Sequence, residues 1–471
     1  MRRIATAITL VLGSGIAAAQ PLATGPVARI DGHKVVRLDI RGPADLRFME
    51  AIGADQWSHG IRPGVPTDFM VSPDALAAID QAGLRYRVVV HDVQSLIDAE
   101  NERLRRGGEG GKRAWFDDFR TLAEIDAYMG ALAAQRPDIA SVFNVGLSIE
   151  GRTIRALRIA NDAFGDLACK PTILFNACQH SREWISPMVA MYAADRLVAA
   201  HGADPDLTAL IDRAEIIFIP VVNPDGYHYT WTTNRLWRKN RRNNGNGTFG
   251  VDLNRNWGVG WGLNSGSSGS GSSETYRGTA PFSEPETDVV RALAESRPRL
   301  AAHVDLHSYG QLLLAPWGYT ADLPPGHATF QMLGAEMQQI IKSVHNRTYV
   351  HGPTYTVLYP ISGGATDWFW GDRDAHSFLF ELRGSGFILP PEEIIPNGEE
   401  ILPALVHLAA WAREGARPPA DFNDDASVNT LDVLAFLNAW VAQDDSADMN
   451  GDGTIDSLDV LAFLNAWAGG C

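Results

Sequence analysis

Cysteine is scarce in this chain, with three residues (Cys169, Cys178 and Cys471) among 471. Three cysteines cannot form a disulfide framework that would replace a hydrophobic core. Cys169 and Cys178 bracket the apolar run 171–175, and the two ends of a strand of that length are too far apart to be bridged. With 45% hydrophobic and 9% aromatic residues, the chain has the apolar side chains for a large core, which excludes an intrinsically disordered protein. The length predicts two or three domains.

Positive charge is absent from the C-terminal segment 421–471. This segment contains ten aspartates and no lysine, arginine or glutamate, so it contributes −10 to the net charge of −16. An acidic protein of this kind is not expected to bind nucleic acid through a basic face. The segment is predicted to be a separate module suited to binding cations.

Long apolar runs are also missing beyond the N-terminus, where no stretch reaches the 18 apolar residues that indicate a membrane-spanning helix. At the N-terminus, Arg2 and Arg3 precede a short apolar run over 4–16 and three alanines at 17–19. This order is typical of a secretory signal peptide over residues 1–19. We therefore expect an exported, soluble protein that is secreted or associated with the cell surface.

Periodicity indicates two α/β units before the acidic segment. Residues 30–100 contain strand-like runs at 34–40 and 85–90, and a helix signal that starts at Ser72-Pro73 and ends at Gly83. A basic, glycine-rich stretch over 103–113 follows, where a trypsin-like protease could cut. Residues 114–416 alternate buried strands with helices, which favours a mostly parallel sheet. The predicted strands are 168–176, 214–223, 300–305 and 378–382, and the predicted helices include 186–200 and 284–295.

An internal repeat occupies the acidic segment. Leu431–Trp440 recurs unchanged as Leu458–Trp467, 27 residues later, and an acidic loop precedes each copy. Oxygen-bearing side chains at loop positions 1, 3, 5, 9 and 12 suit Ca²⁺, although Ala426 stands in the first loop where the sharp turn favours glycine. The candidate calcium ligands are Asp421, Asn423, Asp425, Asn429, Asp432, Asp448, Asn450, Asp452, Asp456 and Asp459.

Three residues are candidate ligands of a catalytic zinc ion, which needs three nitrogen or oxygen ligands and one open position. His180 and Glu183 follow the predicted strand 168–176, and His307 follows another. The His-x-x-Glu pair alone is a weak signal, because a surface ion pair would look the same. His303 is interpreted as a core histidine, and Asp305 as a hydrogen-bond partner of a ligand. No His-Glu-x-x-His occurs, which excludes the helical zinc site built on that motif.

Several motifs in a fixed order carry a resemblance to a known family. They are His180-Ser-Arg-Glu-Trp-Ile, Asn223-Pro-Asp-Gly-Tyr, Arg235-Leu-Trp-Arg-Lys, Asp252-Leu-Asn-Arg-Asn-Trp, Ser273-Glu-Thr-Tyr, His307-Ser-Tyr, Tyr359, Ser362-Gly-Gly, Asp367-Trp and Phe380-Glu-Leu-Arg. Over about residues 115–415 the chain resembles the zinc metallocarboxypeptidases of the pancreatic A and B type. The resemblance implies a mixed, mostly parallel eight-stranded sheet with helices on both faces.

The same resemblance implies a role for each matched residue in removing the C-terminal residue of peptides and proteins. Zinc would be held by His180, Glu183 and His307. Glu381 would act as general base towards a zinc-activated water, and Arg238 would polarise the scissile carbonyl. The terminal carboxylate of the substrate would be bound by Asn254, Arg255 and Tyr359, with help from Arg182.

The specificity pocket implied by the resemblance has no charged residue. Thr366 stands at the position that is acidic in enzymes preferring Lys or Arg, and Thr354, Ile361 and Leu379 are the other matched positions. We expect a preference for neutral apolar or aromatic C-terminal residues, unless the nearby Asp372 or Asp374 reaches the pocket. Three other functions stay open: a peptidase of cell-wall peptides, a catalytically silent binding protein, and a scaffold in which only the C-terminal segment matters.

The flanking segments resemble further modules. Residues 30–100 are similar to the inhibitory pro-domain of the same family, and 421–471 to an all-α dockerin-type calcium repeat with a Gly-Cys ending. The expected organisation is a signal peptide (1–19), a pro-domain (20–102), an activation linker (103–113), the carboxypeptidase domain (114–416), a short linker (417–420) and the repeat (421–471). A dockerin-like repeat implies a cohesin-like or surface-anchoring partner.

Overall fold

A computed structural model describes residues 28–58, 66–109 and 114–471. The predicted signal peptide lies outside the described residues, as do residues 110–113 of the predicted linker. Among the described residues, no helix combines the length and apolar character needed to cross a bilayer.

The N-terminal unit is a four-stranded antiparallel sheet in the order β2-β3-β1-β4, with three helices. Ser72 caps the second helix as predicted, because its hydroxyl accepts a hydrogen bond from the Ala75 amide. The third helix continues to Glu109, so the first part of the predicted linker is helical. The elements are β1 (Lys34–Asp39), α1 (Pro43–Ala51), β2 (Asp55–Gln56), β3 (Pro66–Val71), α2 (Pro73–Gln81), β4 (Tyr86–Val90) and α3 (Val93–Glu109).

The central unit is built on an eight-stranded mixed sheet in the order β11-β10-β12-β9-β7-β8-β6-β5. Four neighbouring pairs are parallel and three are antiparallel, which confirms the predicted fold class. Its strands are β5 (Ala140–Leu147), β6 (Thr153–Ile159), β7 (Thr172–Ala177), β8 (Glu215–Ile219), β9 (Leu300–Ser308), β10 (Leu312–Ala315), β11 (Val350–Pro353) and β12 (His376–Leu382).

Helices cover both faces of this sheet, as the resemblance implies. One core lies between the sheet and α4, α5, α6, α9 and α12, and a second lies between the sheet and α8 and α11. The helices are α4 (Leu122–Gln135), α5 (Ile185–Ala200), α6 (Pro205–Arg213), α7 (Pro224–Thr232), α8 (Pro285–Glu295), α9 (His327–His345), α10 (Thr354–Val357), α11 (Ala365–Gly371) and α12 (Ile394–Gly415).

The repeat folds as two helices, α13 (Thr430–Ala442) and α14 (Ser457–Gly469), each preceded by an acidic loop. Phe436 and Phe463, at equivalent positions, are buried and stack with ring centroids 4.3 Å apart. The two copies also exchange hydrogen bonds, because the Trp440 indole donates to the Asp456 carbonyl and the Trp467 indole donates to the Asn429 carbonyl. The duplicated sequence therefore builds one core in which each helix supports the loop of the other copy.

The structure joins two cysteines that are far apart in the sequence. Cys169 forms a disulfide bond with Cys471, 302 residues away, with the two Cα atoms 4.9 Å apart. The sequence excludes a bond between Cys169 and Cys178, which the structure confirms, but nothing local indicates a partner as distant as Cys471. Cys178 is a free, buried cysteine.

Candidate metal centre and substrate pocket

The candidate metal ligands lie at one edge of the central sheet. His180 and Glu183 follow the carboxyl end of β7, and His307 lies near the carboxyl end of its parallel neighbour β9. In the next parallel strand, β12, Glu381 stands directly opposite His307 in the register. Since parallel strands end at the same edge, residues distant in sequence meet there.

The ligand atoms converge on one point. His180, Glu183 and His307 each offer an atom within 4.8 Å of the others, and all three side chains are buried. Nδ1 of His180 lies 2.9 Å from Glu183 Oε1, and Nδ1 of His307 lies 3.0 Å from Nδ1 of His180 and 3.1 Å from Glu183 Oε2. Ligand atoms in a tetrahedral zinc site lie about 3.4 Å apart. The donor set, two imidazoles and one carboxylate, fits zinc.

The outer nitrogens of both histidines face carboxylates. Nε2 of His180 lies 3.0 Å from Asp252 Oδ1, and Nε2 of His307 lies 2.8 Å from Asp305 Oδ2. A carboxylate behind a histidine orients the ring and leaves the other nitrogen for a metal. The sequence predicts a contact of Asp305 with a ligand histidine. It gives no such indication for Asp252, because no spacing rule points to that residue.

Burial and neighbouring charges act together on the acidic groups of this centre. Although burial alone would raise the pKa of Glu183, His180 and His307 hold it well below its usual range. Burial raises the pKa of Glu381 well above its usual range. For Arg238, burial disfavours the charge, but Asp252 and Glu183 outweigh this effect and raise the pKa. Arg238 therefore remains a fixed cation beside the candidate ligands.

The residues predicted to bind the substrate carboxylate also lie close to the centre. Asn254 Nδ2 lies 3.5 Å from Nε2 of His307, and Asn254 Oδ1 accepts a hydrogen bond from the Ala365 amide. The Arg255 guanidinium donates to the Tyr359 hydroxyl at 3.3 Å. Arg238 donates to Asp252 at 2.9 Å. The structure thus brings Asn254, Arg255 and Tyr359 together, while Arg182 is paired with a carboxylate of the N-terminal unit.

The four predicted pocket residues line one cavity, which Asn254 borders. They are Thr354, Ile361, Thr366 and Leu379, joined by Gly318, Gly364 and Asp367. Asp367 accepts hydrogen bonds from the Gly318 and Tyr319 amides, and burial raises its pKa to about 7. Asp372 and Asp374 are exposed and are not among the cavity-lining residues in the described part of the chain.

The N-terminal unit contacts Arg182 directly. Arg182 donates to Asp55 at 2.6 Å and to the Gln56 carbonyl at 3.3 Å, and its guanidinium lies 4.1 Å from the centre of the Phe387 ring. Arg182 is therefore paired with a carboxylate from the N-terminal unit. Sequence reasoning missed Asp55 because a contact between two units leaves no local pattern.

A mixed apolar and ionic interface extends this contact. Trp57 packs against Phe387 with ring centroids 5.3 Å apart, inside a buried cluster shared by the two units. Glu100 of α3 accepts a hydrogen bond of 2.5 Å from Arg235, and both side chains are buried. Arg235 also lies 3.7 Å above the Trp184 ring, next to Glu183 in the chain. The N-terminal unit is thus anchored on residues that neighbour the candidate metal ligands.

A buried set of two histidines and a glutamate, beside a carboxylate and an arginine, is the arrangement of a zinc peptidase. The sequence profile of the zinc carboxypeptidase family matches residues 125–404. The chain belongs to this family. Profiles of the carboxypeptidase activation peptide and of the dockerin type I domain match residues 39–100 and 419–466.

Individual relatives agree with the profile. Carboxypeptidase A2 of Rattus norvegicus is 35% identical over 371 residues, which cover 77% of this chain and 88% of the relative. Carboxypeptidase B of Bos taurus is 31% identical over 402 residues, covering 82% and 94%. The crystal structure of carboxypeptidase A from Helicoverpa armigera superposes with a TM-score of 0.74 at 33% identity, covering 82% of this chain and 98% of that structure. The chain is thus a zinc carboxypeptidase with an activation peptide and a dockerin domain.

Proposed function

We propose that this protein is a secreted zinc carboxypeptidase that removes neutral, apolar or aromatic residues from the C-termini of peptides and is held inactive by its N-terminal unit. The convergence of His180, Glu183 and His307 beside Glu381 and Arg238 carries the proposal. Zinc, when bound, supplies a Lewis acid and acidifies a water molecule. Secretion rests on the signal-like N-terminal sequence.

The side chains around the centre divide the remaining work. Glu381, directly opposite His307 in the strand register, accepts a proton from the attacking water and passes it to the leaving amine. Arg238, a fixed cation, binds the developing oxyanion. Asn254, Arg255 and Tyr359 bind the free carboxylate that distinguishes a chain end from an internal bond.

The pocket composition supports the proposed specificity. Leu379 and Ile361 belong to an apolar cluster, and the Thr354 hydroxyl already donates to the Ala315 carbonyl. Both oxygens of Asp367 accept backbone hydrogen bonds, so this carboxylate is engaged by the protein itself. An unpaired ammonium or guanidinium group buried here would cost on the order of several kcal/mol.

The contacts of Arg182 support latency. Asp55 accepts a hydrogen bond from the guanidinium of Arg182, which we propose assists in binding the substrate. The cluster around Trp57 covers Phe387 and Tyr309. Removing the N-terminal unit by cleavage within 103–113 would free these groups.

The dockerin domain supports two further roles, calcium binding and attachment to a cohesin-like or surface-anchoring partner. Both loops present the oxygen-bearing residues that Ca²⁺ favours. The two helices also expose equivalent leucines, between 41% and 57% accessible, which are suited to contact a partner. They are Leu431, Leu434, Leu437, Leu458, Leu461 and Leu464.

Replacement of the proposed base tests the catalytic assignment. After removal of the N-terminal unit by trypsin, Glu381→Gln should retain zinc and lose on the order of 10²–10⁴ in kcat, the usual contribution of general acid–base catalysis. Glu392→Gln, at an exposed position, is the matched control and should remain fully active. Near-normal turnover of the Glu381→Gln variant would exclude Glu381 as the base.

A substrate panel tests the specificity and the competing functions. Blocked peptides that end in Phe or Leu should exceed those ending in Lys or Arg in kcat/KM by at least about tenfold, equivalent to about 1.4 kcal/mol. A basic preference would contradict the pocket assignment. Cleavage of only D-amino-acid or isopeptide bonds would instead favour a cell-wall peptidase.

A further inference from the structure

The first acidic loop of the dockerin domain rests on a turn of the carboxypeptidase domain. The Asp166 amide donates a 2.6 Å hydrogen bond to the Ala426 carbonyl. Gly165, with φ +67°, lies so close that a Cβ atom there would be 2.6 Å from the Ala426 oxygen and 2.7 Å from its methyl group. The contact therefore requires glycine at position 165.

Ala426 occupies the loop position that usually demands glycine. Its φ is +58°, while the equivalent Gly453 of the second loop has φ +81°. A residue with a Cβ atom is disfavoured in this left-handed region, whereas glycine adopts it freely. The first loop thus has a less favourable backbone than the second, and the hydrogen bond from Asp166 holds it in that conformation.

Ion pairs and a covalent bond close the same junction. Arg213 donates to the Asp424 carbonyl at 2.7 Å and lies 3.3 Å from its carboxylate, which also pairs with Arg413. Cys169, three residues after Asp166, is bonded to Cys471. The loop is held by its backbone and by its charge, and the end of the dockerin domain is held covalently.

The first loop shares most of its internal hydrogen bonds with the second loop, which has no such contact with the turn at Gly165 and Asp166. Asp421 accepts hydrogen bonds from the Asp425 and Ala426 amides, as Asp448 does from the Asp452 and Gly453 amides. The final aspartate of each loop, Asp432 or Asp459, likewise accepts two backbone amides. The donor set of both loops consists of carboxylate, amide and carbonyl oxygens, which fits calcium.

We infer that the carboxypeptidase domain completes the first calcium loop, so that calcium binding there and docking of the dockerin domain are one coupled equilibrium. This inference rests on the calcium binding proposed above. Coupling between two binding events is reciprocal: docking raises the calcium affinity of the first loop, and calcium in that loop tightens docking. The second loop, built on Gly453, needs no such support.

The test uses the full-length protein and calcium alone as the probe. Asp448→Ala with Asp452→Ala disables the second loop, so that calorimetry reports on the first. In this background, Gly165→Ala should weaken calcium binding by about tenfold, equivalent to about 1.4 kcal/mol. Gly202→Ala is the matched control, because Gly202 has φ +86° but nothing within 4 Å of the added methyl group. It should leave the affinity unchanged.

The opposite background shows that the effect belongs to one loop. With Asp421→Ala and Asp425→Ala disabling the first loop, Gly165→Ala should not change calcium binding by the second. Arg213→Ala, which removes the contacts with Asp424, should lower the affinity of the first loop in the same direction as Gly165→Ala.

A second readout follows the junction itself. In the unaltered protein, calcium should slow the reduction of the Cys169–Cys471 bond by a phosphine at least threefold. The rate is measured by mass spectrometry of alkylated Cys471. In the Gly165→Ala variant, calcium should slow this reduction by a smaller factor. Binding at both loops with an unchanged first-loop affinity in Gly165→Ala and in Arg213→Ala would overturn the coupling alone. If neither loop binds calcium, both the coupling and the calcium assignment are wrong.

Discussion

At the scale of single residues, two carboxylates orient the histidines of the candidate metal centre. Asp305 contacts His307 and also accepts a hydrogen bond of 2.6 Å from Asn176. Asp252 contacts His180 and accepts one from Arg238. Because each carboxylate is itself held in place, the imidazole it contacts has little freedom to rotate, which preorganises the centre.

Asp305→Asn is therefore expected to weaken zinc binding. An amide is a poorer acceptor than a carboxylate, and losses of about 10–100-fold in metal affinity are usual for such partners. Competition with a chromogenic chelator measures the affinity. Asp322→Asn, at an exposed site, is the control. Equal zinc affinity in both variants would show that Asp305 does not position the ligand.

Another buried carboxyl group, that of Glu286 on α8, leads us to expect that the stability of the protein depends on pH. Glu286 accepts hydrogen bonds from the Ile149 amide and from Asn240, and burial raises its pKa from 4.5 to about 7. Between these values the folded protein holds a proton that the unfolded chain has released, so the free energy of unfolding falls as the pH rises through this window. The loss amounts to about 3 kcal/mol.

Glu286→Gln should remove this slope. Urea unfolding at pH 5 and pH 8 would measure it, with Glu295→Gln, an exposed position on the same helix, as the control. If Glu286→Gln keeps the same pH dependence as the control, Glu286 is not the group responsible.

At the scale of elements, burial decided which strands could be predicted from the sequence. Strands β7, β8, β9 and β12 are buried almost throughout, so they read as continuous apolar runs. The edge strand β5 is mostly partly exposed, so it has no continuous apolar run. Strands β10 and β11 have four residues each, which is too short for a recognisable pattern. The start of β7 was predicted too early, because residues 167–169 form a turn capped by Asp166.

The same limit applies to the candidate site. The convergence of His180, Glu183 and His307 could be predicted because a zinc ion restricts ligand types and because the family motifs are ordered. Asp55 and Glu100 could not be found, because they act across an interface that only the folded chain creates.

Helix α3 should contribute to latency through the buried carboxylate of Glu100. Glu100→Gln leaves Arg235 charged and buried without an ionic partner, which destabilises the docked state. The uncut variant should therefore show at least about tenfold more residual activity than the uncut protein, measured with a small blocked peptide. Glu102→Gln, on the same helix but partly exposed, should remain latent. Unchanged latency of Glu100→Gln would mean that the apolar cluster around Trp57 suffices.

At the scale of the whole molecule, the N-terminal unit and the dockerin domain contact the carboxypeptidase domain at opposite ends of its strands. The N-terminal unit contacts residues that follow the carboxyl end of β7, such as Arg182. The dockerin domain contacts residues that precede the amino end of the same strand, such as Asp166 and Cys169. The contacts of the dockerin domain therefore lie at the opposite end of β7 from the candidate metal centre.

The covalent link between these units predicts a simple gel result. If a specific protease site is inserted beside Pro419, which is exposed between the two units, the cut protein should run as one species without reductant and as two with it. Cys471→Ser should separate into two fragments under both conditions. If the cut protein that keeps both cysteines separates into two fragments without reductant, Cys169 and Cys471 are not joined.

The contacts of Arg182 and Arg235 have an evolutionary consequence. In the uncut chain these arginines bind Asp55 and Glu100 of the N-terminal unit. A substitution at either arginine therefore also alters the contact with the activation peptide encoded in the same gene. Selection on these two positions of the carboxypeptidase domain thus acts on the N-terminal unit as well, and a change at either arginine requires a compensating change at Asp55 or Glu100.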